Sequence, residues 1–418
     1  MRRRARSALA GLLASGLLIA MAAAAAGAQA AAGPGTLDPS FGAGGKVLTS
    51  LAGVSQVGNQ ALVSDAALAS DGDIVVSGSF GLARYLPDGQ LDTSFGTNGA
   101  VQTGFGGAAL AIEPGGEYVV AGQEETGPDL SQDDFAVARV TTSGQLDPAF
   151  GHGGVVTTAF PSAADGAGAD AVLVEANGDI LVGGQAQVPG TTRNQPVLAQ
   201  GALALYTSSG TLVPSFGSGG LVQTAAVNTN ITTLATDAAG DIFTLPAHAE
   251  FSPAGQLDSS VTAEPVTASS HGGDGAFLAN GQSLIAGTVG LGRGATDVQV
   301  HRFNANGSTD PAFTNPPFVF AAPGDHESPG AIAVAPNGQI AVVGAHFRGT
   351  SVFGVARLDS GGSLDSGFGN AGTQTTNFQA DDIAEAVVVQ PNGDIIAIGF
   401  SEDNTTGAVD VALARYLG

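Results

Sequence analysis

The sequence contains no cysteine and few basic residues. Without disulfides, a folded domain must be held by its hydrophobic core and its backbone hydrogen bonds. Thirteen lysines and arginines stand against 37 aspartates and glutamates, which gives a net charge of −24 at pH 7. Nucleic acids and anionic membranes bind through clustered lysine and arginine, so neither is an expected partner.

The N-terminal segment has the layout of a secretory signal peptide. Four arginines within residues 2–6 precede an apolar stretch, residues 8–26, and an A-x-A cleavage pattern ends at Ala30. A membrane anchor fits less well, because the stretch is alanine-rich and is followed by small residues rather than charges. We predict a signal peptide over residues 1–30, cleaved near Ala30, then a short segment over residues 31–36.

The mature protein is therefore expected outside the cell, exported by the general or the twin-arginine route. Loss of the four arginines leaves nine basic residues and a net charge of −28. No later stretch is apolar enough to span a bilayer, so no membrane span is expected.

Seven copies of one repeat fill residues 37–418. One block of the repeat is a turn followed by an apolar strand, as in DGDIVVSG. Asn-Gly and Asp-Gly pairs between two apolar runs predict a β-hairpin. We number the repeat units 1 to 7 by the first residue of this block: Asp71, Gly115, Asn177, Ala239, Asn280, Asn337 and Asn392.

Two further blocks accompany each hairpin. One follows the pattern L-D-x-S-F-G-x-x-G, with Val261 in place of the aromatic residue in one copy. The other, as in LARYLPDG, supplies a strand that carries an arginine. Four short strands in about 50 residues predict a β-propeller blade, whereas a β-helix has shorter coils and separate sandwiches need linkers. The aromatic positions are Phe41, Phe95, Phe150, Phe216, Phe313 and Phe368.

The two ends of the repeat array are complementary. The array begins with a fourth strand, predicted at Lys46–Thr49, and ends with a third strand, predicted at Asp410–Tyr416. We therefore predict one all-β domain over residues 37–418, a seven-bladed β-propeller with four antiparallel strands per blade. The N-terminal strand is predicted to complete the last blade, which removes an open sheet edge. We expect a monomer.

These blocks resemble the delta-60 repeat, a β-propeller repeat of bacterial secreted and surface proteins. The motif is carried by ARYLPDGQLDTSFGTNG, residues 83–99. The resemblance extends from Leu37 to the C-terminus, with departures in units 4 and 5 near residues 251–267 and 304–320. It implies a propeller fold in a bacterial extracellular protein, and it carries no catalytic residues and no defined activity.

The recurring residues are expected to serve the scaffold, because a site needs one copy and a scaffold needs seven. The phenylalanines are predicted to pack between blades. The aspartate of each L-D-x-S-F-G block is predicted to cap turn amides or to pair with the third strand's arginine. Calcium in each turn is disfavoured, because the dense D-x-D-x-D-G pattern is absent.

Acidic residues that do not recur mark the candidate site. We expect them in loops at one face, with ordinary solvated loops as the alternative explanation. The candidate binding face comprises Glu124, Glu125, Asp133, Asp134, Asp165, Asp170, Glu402 and Asp403. The candidate metal ligands, with Ca²⁺ as the cation considered, are Asp325, His326, Glu327, Asp381 and Asp382. No other cofactor is expected.

These patterns predict an extracellular binding or scaffold module for a protein or glycan, in preference to an enzyme. The alternative is a metal-assisted hydrolase or lactonase-like propeller enzyme with a carboxylate-lined central channel. That chemistry needs acids on the first strands, and the residues on or next to them are Glu113, Glu175, Asp237 and Glu385. A component of an extracellular matrix or adhesion system is a third hypothesis.

Overall fold

The structure is a computed structural model, and it is all-β. In the described residues it contains 26 strands and no helix, hence none that could cross a membrane. The predicted signal peptide, Asp165 and Val261 lie outside those residues. The described ranges are 33–51, 63–126, 132–161, 166–188, 198–227, 230–258, 275–292, 294–379 and 381–418.

Units 1, 2 and 3 each form a four-stranded antiparallel sheet in chain order. A strand that precedes them is β1 (Lys46–Thr49). Unit 1 comprises β2 (Asp65–Leu68), β3 (Ile74–Gly78), β4 (Gly81–Tyr85) and β5 (Ala100–Val101). Unit 2 comprises β6 (Gly106–Ile112), β7 (Tyr118–Thr126), β8 (Gln132–Val140) and β9 (Val155–Thr158). Unit 3 comprises β10 (Ala167–Val174), β11 (Ile180–Val188), β12 (Leu198–Tyr206) and β13 (Leu221–Val227).

Units 4 to 7 depart from this pattern in strand number and in how the sheets join. Unit 4 has three strands, β14 (Thr233–Thr236), β15 (Ile242–Leu245) and β16 (Ala249–Phe251). Unit 5 comprises β17 (Gly275–Phe277), β18 (Ser283–Gly292) and β19 (Ala295–Phe303). Unit 6 comprises β20 (His326–Val334), β21 (Ile340–Arg348), β22 (Thr350–Leu358) and β23 (Thr373–Thr376). Unit 7 comprises β24 (Asp381–Val389), β25 (Ile395–Asp403) and β26 (Ala408–Tyr416).

Two pairings join strands of different units. A single parallel pairing of Thr296 with His326 links β19 to β20, so units 5 and 6 share one sheet. The strand β1 is antiparallel to β26 and forms the fourth strand of the unit 7 sheet, with Lys46 opposite Ala414. The first strand and the last strand of the described chain are therefore hydrogen-bonded neighbours.

A β-bulge on the first strand explains why the hairpin block ends in glycine. The first strands of units 2, 3, 6 and 7 each carry a bulge. Next to it, the first strand's carbonyl oxygen lies against a glycine of the second strand, where any Cβ would overlap that oxygen. These second-strand glycines are Gly122, Gly184, Gly344 and Gly399.

In five units the recurring arginine binds the turn aspartate that follows it, and in four of them it also bonds to the next unit, an arrangement we term the arginine clamp. On β4, Arg84 donates from Nε to Asp92 of its own unit at 2.9 Å. It also donates from Nη1 to the carbonyl oxygen of Thr142 in unit 2 at 2.7 Å. Its guanidinium lies over the ring of Phe95, 4.6 Å from the ring centroid. The clamp arginines are Arg84, Arg139, Arg302, Arg357 and Arg415.

The recurring aspartate makes both of its predicted interactions at once. While one oxygen of Asp92 binds Arg84, the other accepts the backbone amide of Ser94 at 3.0 Å. The prediction that this residue caps its turn and pairs with the arginine is confirmed. The same two interactions occur at Asp38, Asp147, Asp310 and Asp365.

The recurring phenylalanine packs between neighbouring units, as predicted. Phe95 is fully buried against Gly144 of unit 2, whose Cβ position would lie 3.0 Å from the ring. Gly144 has a φ of 80°, a left-handed conformation that favours glycine. At the same junction the amide of Gly96 donates to the carbonyl oxygen of Ser143 at 3.0 Å. The glycine of each turn thus makes room for the ring of the preceding unit.

Deleting Thr36–Thr49 should lower the Tm strongly. The deletion leaves β26 as an open edge and removes the carboxylate of Asp38 from Arg415. It also removes the fully buried Phe41, whose side chain alone contributes about 3–5 kcal/mol. Thermal unfolding followed by circular dichroism measures the effect. As a control, Lys46→Ala should change the Tm little, because this amine makes one exposed hydrogen bond to the carbonyl of Asn377 and lies 5.5 Å from the ring centroid of Phe378. Equal melting of the truncated and full chains would contradict the role given to β1.

Candidate functional site

Most of the predicted acidic residues that the structure describes lie on strands rather than in loops. Glu124 and Glu125 are near the end of β7, and Asp133 and Asp134 are near the start of β8. The expectation of loops was wrong, because the hairpin ladder continues past the apolar run into polar residues. Other candidates on strands are Asp170 on β10, His326 and Glu327 on β20, Asp381 and Asp382 on β24, and Glu402 and Asp403 on β25. Asp325 lies outside the strands, in the bend before β20, as expected.

Most of these acids share one edge of the sheets. Neighbouring strands are antiparallel, so the starts of the first and third strands meet the ends of the second strands at the same edge. The arginine clamps lie at the opposite edge, at the ends of the third strands. We term as the acidic edge the residues Glu124, Glu125, Asp133, Asp134, Asp325, Asp381, Glu402 and Asp403.

Carboxylates of the acidic edge are placed directly opposite one another. In unit 2, Glu124 is the cross-strand partner of Asp134, and Glu125 that of Asp133. In unit 7, Asp381 is the cross-strand partner of Glu402. Like charges at such positions destabilise a sheet. Burial, together with the charges of its neighbours, raises the pKa of Asp133. Because these opposed carboxylates lower the stability of the sheet, we interpret them as binding residues rather than as part of the scaffold.

Hydrogen bonds hold three acids of unit 7 in place. Asp381 accepts from Asn404 at 2.7 Å and from the amide of Ser351 at 2.8 Å, and these bonds lower its pKa. Asp403 caps its turn by accepting the amide of Thr405 at 2.7 Å. Asp382 is fully buried and accepts the amide of Phe378 at 2.7 Å, which is a structural role.

Few positive charges offset the acidic edge. Five arginines are held in clamps at the opposite edge. In the described part of the chain, Arg348 is the one arginine at the acidic edge. Its side chain is 75% exposed and its Nε lies 3.9 Å from the Asp325 carboxylate. A largely unbalanced set of carboxylates creates a negative potential that attracts cations and basic partners.

The candidate metal residues of unit 6 are divided between two environments. Glu327 is fully buried and its Oε1 lies 2.8 Å from Nδ1 of His346, while Asp325 lies 3.7 Å from Nε2 of the same ring. Burial raises the pKa of Glu327 to about 7. His326 instead contacts the hydroxyl of Thr296 at 2.7 Å. Nowhere in the described ranges do three acidic or histidine side chains form a group suited to a metal ion.

His346 was missed by the sequence reasoning. Counting from the Asn-Gly turn of unit 6 places residue 346 opposite Ser328, and the bulge at Gly330 shifts its partner to Glu327. Recognising it required knowing that the strands extend nine residues from the turn.

The first strands of all seven units face one cavity of about 230 Å³. These strands contact one another in the order β2, β6, β10, β14, β17, β20, β24 and again β2. We term this space the first-strand cavity. Its polar lining side chains, from units 1, 3 and 4, are Ser64, Asp65, Asp170, Thr232 and Thr233.

Two carboxylates near the first-strand cavity lie in β-bulges of first strands. Asp170 and Glu385 occupy the bulges of β10 and β24, and the strand residues that follow each of them line the cavity. An unpaired bulge residue can be turned out of the ladder toward a site. Asp65 accepts the amides of Ala66 at 2.7 Å and of Leu110 at 2.8 Å. Burial raises the pKa of Asp65 and of Asp170 to about 6, and that of Glu385 to about 7.

The other three acids proposed for a channel cluster lie elsewhere. Glu113, Glu175 and Asp237 follow the ends of their first strands in the hairpin turns, at the edge of the arginine clamps. Glu113 lies 3.7 Å from the clamp residue Arg139. They do not converge with Glu385. The sequence reasoning also missed Asp65, which has no motif around it.

Replacing Glu385 with glutamine should change how stability depends on pH. An unfolded glutamate has a pKa of about 4.3. Because the folded pKa is about 7, ionisation of Glu385 weakens the fold progressively as the pH rises from about 4 to 7. Glu385→Gln should match the wild type near pH 4 and exceed its unfolding free energy by roughly 3–4 kcal/mol at pH 8. Urea unfolding across this range measures the difference.

Asp147→Asn supplies the comparison of opposite sign. The amide of Ala149 and the charge of Arg139 lower the pKa of Asp147, so its contribution is present at pH 7 and is lost as the pH falls below about 4. This variant should be less stable than the wild type at pH 7, with the gap closing in acid. A parallel pH profile for Glu385→Gln and wild type would mean that Glu385 is well solvated.

A family model described as a β-propeller domain of unknown function, DUF5122, matches four segments of the chain. The matched residues are 69–95, 114–150, 278–313 and 335–368. They cover the hairpin and phenylalanine blocks of units 1, 2, 5 and 6. The match supports a propeller repeat family, while the narrower resemblance to the delta-60 repeat stays a prediction. A search of curated proteins gave no match.

Several solved structures are distantly similar. A protein of unknown function from Dyadobacter fermentans is 12% identical, with a TM-score of 0.39 over 74% of this chain and 78% of that one. A gluconolactonase from Xanthomonas campestris is 15% identical, with a TM-score of 0.37 over 92% and 97%. An α-L-arabinofuranosidase from Fusarium graminearum is 12% identical, with a TM-score of 0.43 over 88% and 96%. Such distances carry no argument about activity. The family match and the antiparallel sheets together give the chain a β-propeller fold.

Proposed function

We propose that the protein is a secreted seven-bladed β-propeller that captures a basic segment of an extracellular partner protein at its acidic edge. The seven repeats, the cyclic order of first-strand contacts and the pairing of β1 with β26 support closure into one ring. In that ring the first-strand cavity is the central channel, and the acidic edge surrounds one mouth. The predicted signal peptide supports secretion.

The observation that carries this proposal is the set of directly opposed carboxylates in units 2 and 7. Solubility needs dispersed negative charge and does not need like charges on facing positions. A bound cation offsets the repulsion between the facing carboxylates, and this gain in stability favours binding. A neutral glycan provides no such charge, which favours a basic protein segment as the partner.

The hairpin of unit 1 is shorter than the two acidic hairpins on either side of it. Its strands β3 and β4 have five residues each, whereas β7, β8, β25 and β26 have nine. Four residues correspond to roughly 13 Å of strand. Since β2 contacts both β6 and β24, unit 1 lies between units 2 and 7. The tip residues Ser79 and Phe80 are each 3% exposed, so the tip of this hairpin is covered, and the carboxylates of units 2 and 7 lie on either side of it.

Neutralising one opposed pair tests the proposal. The variant Glu125→Gln/Asp133→Asn should bind a hexalysine peptide at least tenfold more weakly than the wild type, with a shallower dependence on salt. Its unfolding free energy should rise by about 0.2–1 kcal/mol, because two like charges no longer face each other. Isothermal titration calorimetry and urea unfolding measure the two effects.

The matched control carries the same change of charge at the opposite edge. Glu117→Gln/Asp88→Asn alters turn residues near the arginine clamps. It should bind hexalysine as the wild type does. If both double variants weaken binding equally, the acidic edge is not the site. Absence of binding to the wild type rejects the proposal outright.

A second candidate function rests on the first-strand cavity. Carboxyl groups with pKa values of about 6 to 7, such as Asp170 and Glu385, can donate or accept a proton near neutral pH. This favours a hydrolase or lactonase reaction as the alternative to binding alone.

Assays of lactone and glycoside hydrolysis test whether the first-strand cavity is a catalytic site. If the cavity is catalytic, Asp170→Asn or Glu385→Gln should reduce kcat by about a hundredfold or more, with the fold retained by circular dichroism. A wild-type protein that turns over none of these substrates would leave binding as the function.

A further inference from the structure

The junction between units 4 and 5 has no clamp arginine on its unit 4 side. Glu250 occupies the arginine position of unit 4, since it pairs with Phe243 on the second strand as Arg84 pairs with Val75. An ionised carboxylate cannot donate to a carbonyl oxygen of the next unit, as Arg84 does to that of Thr142. Other contacts must therefore hold unit 5 against unit 4.

Few apolar side chains are buried at this junction. Leu245 of β15 packs with Ile285 and Phe303 of unit 5, and the partly buried Phe277 lies against them. These three buried residues form the smallest hydrophobic cluster in the described part of the chain, whereas the cluster that joins units 2 and 3 has fourteen. Because hydrophobic stabilisation scales with the apolar area buried, this junction gains less from packing than that one does.

A histidine of unit 4 makes a hydrogen bond to unit 5. Nε2 of His248 lies 3.0 Å from Oγ of Ser283 on β18, and Nδ1 lies 3.0 Å from the carbonyl oxygen of Pro246. A carbonyl oxygen can only accept, so in the neutral ring Nδ1 carries the proton and Nε2 accepts the serine hydroxyl. His248 has a φ of 48°, a left-handed conformation that is uncommon outside glycine.

Ser283 departs from the repeat at its position. It begins the second strand and pairs with Phe303, as Ile74 pairs with Tyr85 in unit 1. The imidazole of His248, itself buried, lies against both Ser283 and Phe303. A titratable ring thus stands beside a position that is large and buried in the other six units. The residues at that position are Ile74, Tyr118, Ile180, Ile242, Ile340 and Ile395.

A second histidine lies beside the same phenylalanine. The ring centroid of His248 is 4.2 Å from that of Phe303, and the centroid of His301 on β19 is 6.3 Å from it. One histidine from each unit therefore flanks Phe303. Burial lowers the pKa of both imidazoles, although the carbonyl of Pro246 partly opposes the shift at His248. Both rings are neutral at neutral pH.

Little charge surrounds these two rings. The strands β15, β17 and β18 carry no charged residue. Glu250 lies on β16, and β19 carries Asp297 and Arg302, of which Arg302 is bound by Asp310 at 2.8 Å. Among the described residues, the histidine that forms ion pairs with carboxylates is His346, in unit 6. A proton on either ring of the junction is therefore buried without a counterion, which is costly.

We propose that the junction between units 4 and 5 is an acid-sensitive latch, which opens when His248 and His301 are protonated while the clamped units stay folded. A solvated histidine has a pKa of about 6.5, so the opened junction takes up protons that the closed one excludes. The closed form is favoured above about pH 7, and it loses stability as the pH falls through about 6.5 toward the lower pKa values of the closed state. The latch does not depend on binding at the acidic edge.

Hydrogen exchange followed by mass spectrometry tests the latch in the mature protein. Exchange is compared at about pH 7.5 and about pH 5, with labelling times scaled for the intrinsic rate. At the lower pH, β18 and β19 should lose protection at least tenfold relative to β3 and β4 of unit 1, because each unit of lowered pKa changes the opening equilibrium up to about tenfold. Protection that falls equally in both regions, or in neither, overturns the proposal.

The variant His248→Gln/His301→Gln removes both titrating groups. Its β18 and β19 should show the same protection at both pH values, because glutamine stays neutral. His152→Gln, in an exposed turn of unit 2, is the matched control and should keep the wild-type loss of protection. A double variant that still loses protection in acid, or a control that no longer does, would refute the latch.

His301→Gln alone provides a second variant, because it keeps the bond between His248 and Ser283. It should reduce the acid-dependent loss of protection by roughly threefold or more, since one of the two buried charges is gone. Each variant is compared with itself at two pH values, so a uniform change in stability does not affect the readout. A loss equal to that of the wild type would contradict the role given to His301.

Discussion

A guanidinium that is bound by its own unit and by the next one holds the repeats together. Each clamp combines charge-assisted hydrogen bonds, a ring face and, in most units, a carbonyl of the neighbour. The bond to the next turn places that turn relative to the preceding sheet, and the phenylalanine beneath it excludes water. Because five arginines are committed to this edge, few cations are left for the other. The negative potential of the acidic edge is thus partly a consequence of how the scaffold is held.

A second constraint arises where the first and second strands meet. The bulge presses a carbonyl onto the second strand, and glycine is the residue that admits it. The same bulge frees one residue per strand from pairing, and its side chain is not needed by the scaffold. In four units this residue is Ala108, Asp170, Gly330 or Glu385. The chemistry of these bulge positions differs between units, although at Gly330 a Cβ would overlap the carbonyl oxygen of Ala384 in unit 7.

Much of the fold could be predicted from spacing. The strand Lys46–Thr49, the roles of the recurring aspartate and phenylalanine, and the hairpins follow from turn blocks that recur in the same order in every unit. The predicted location of the acidic residues was less accurate. Polar residues after an apolar run look like a loop, yet the hairpin ladder carries them for several more residues. Along a strand, successive side chains alternate between faces, which is why Asp325 and Glu327 meet His346 while His326 does not.

The sequence by itself determined the repeat, the turn chemistry and which residues serve the scaffold, because these depend on contacts within about 50 residues. That unit 4 has no clamp arginine is also visible in the sequence, once the arginine positions of the units are aligned. Tertiary structure alone decided that Asp65 and Asp170 line one cavity, with Glu385 in a bulge next to it, and that acids of units 2 and 7 flank unit 1. Residues more than 200 positions apart come together only through the packing of first strand against first strand, and no local spacing records that packing.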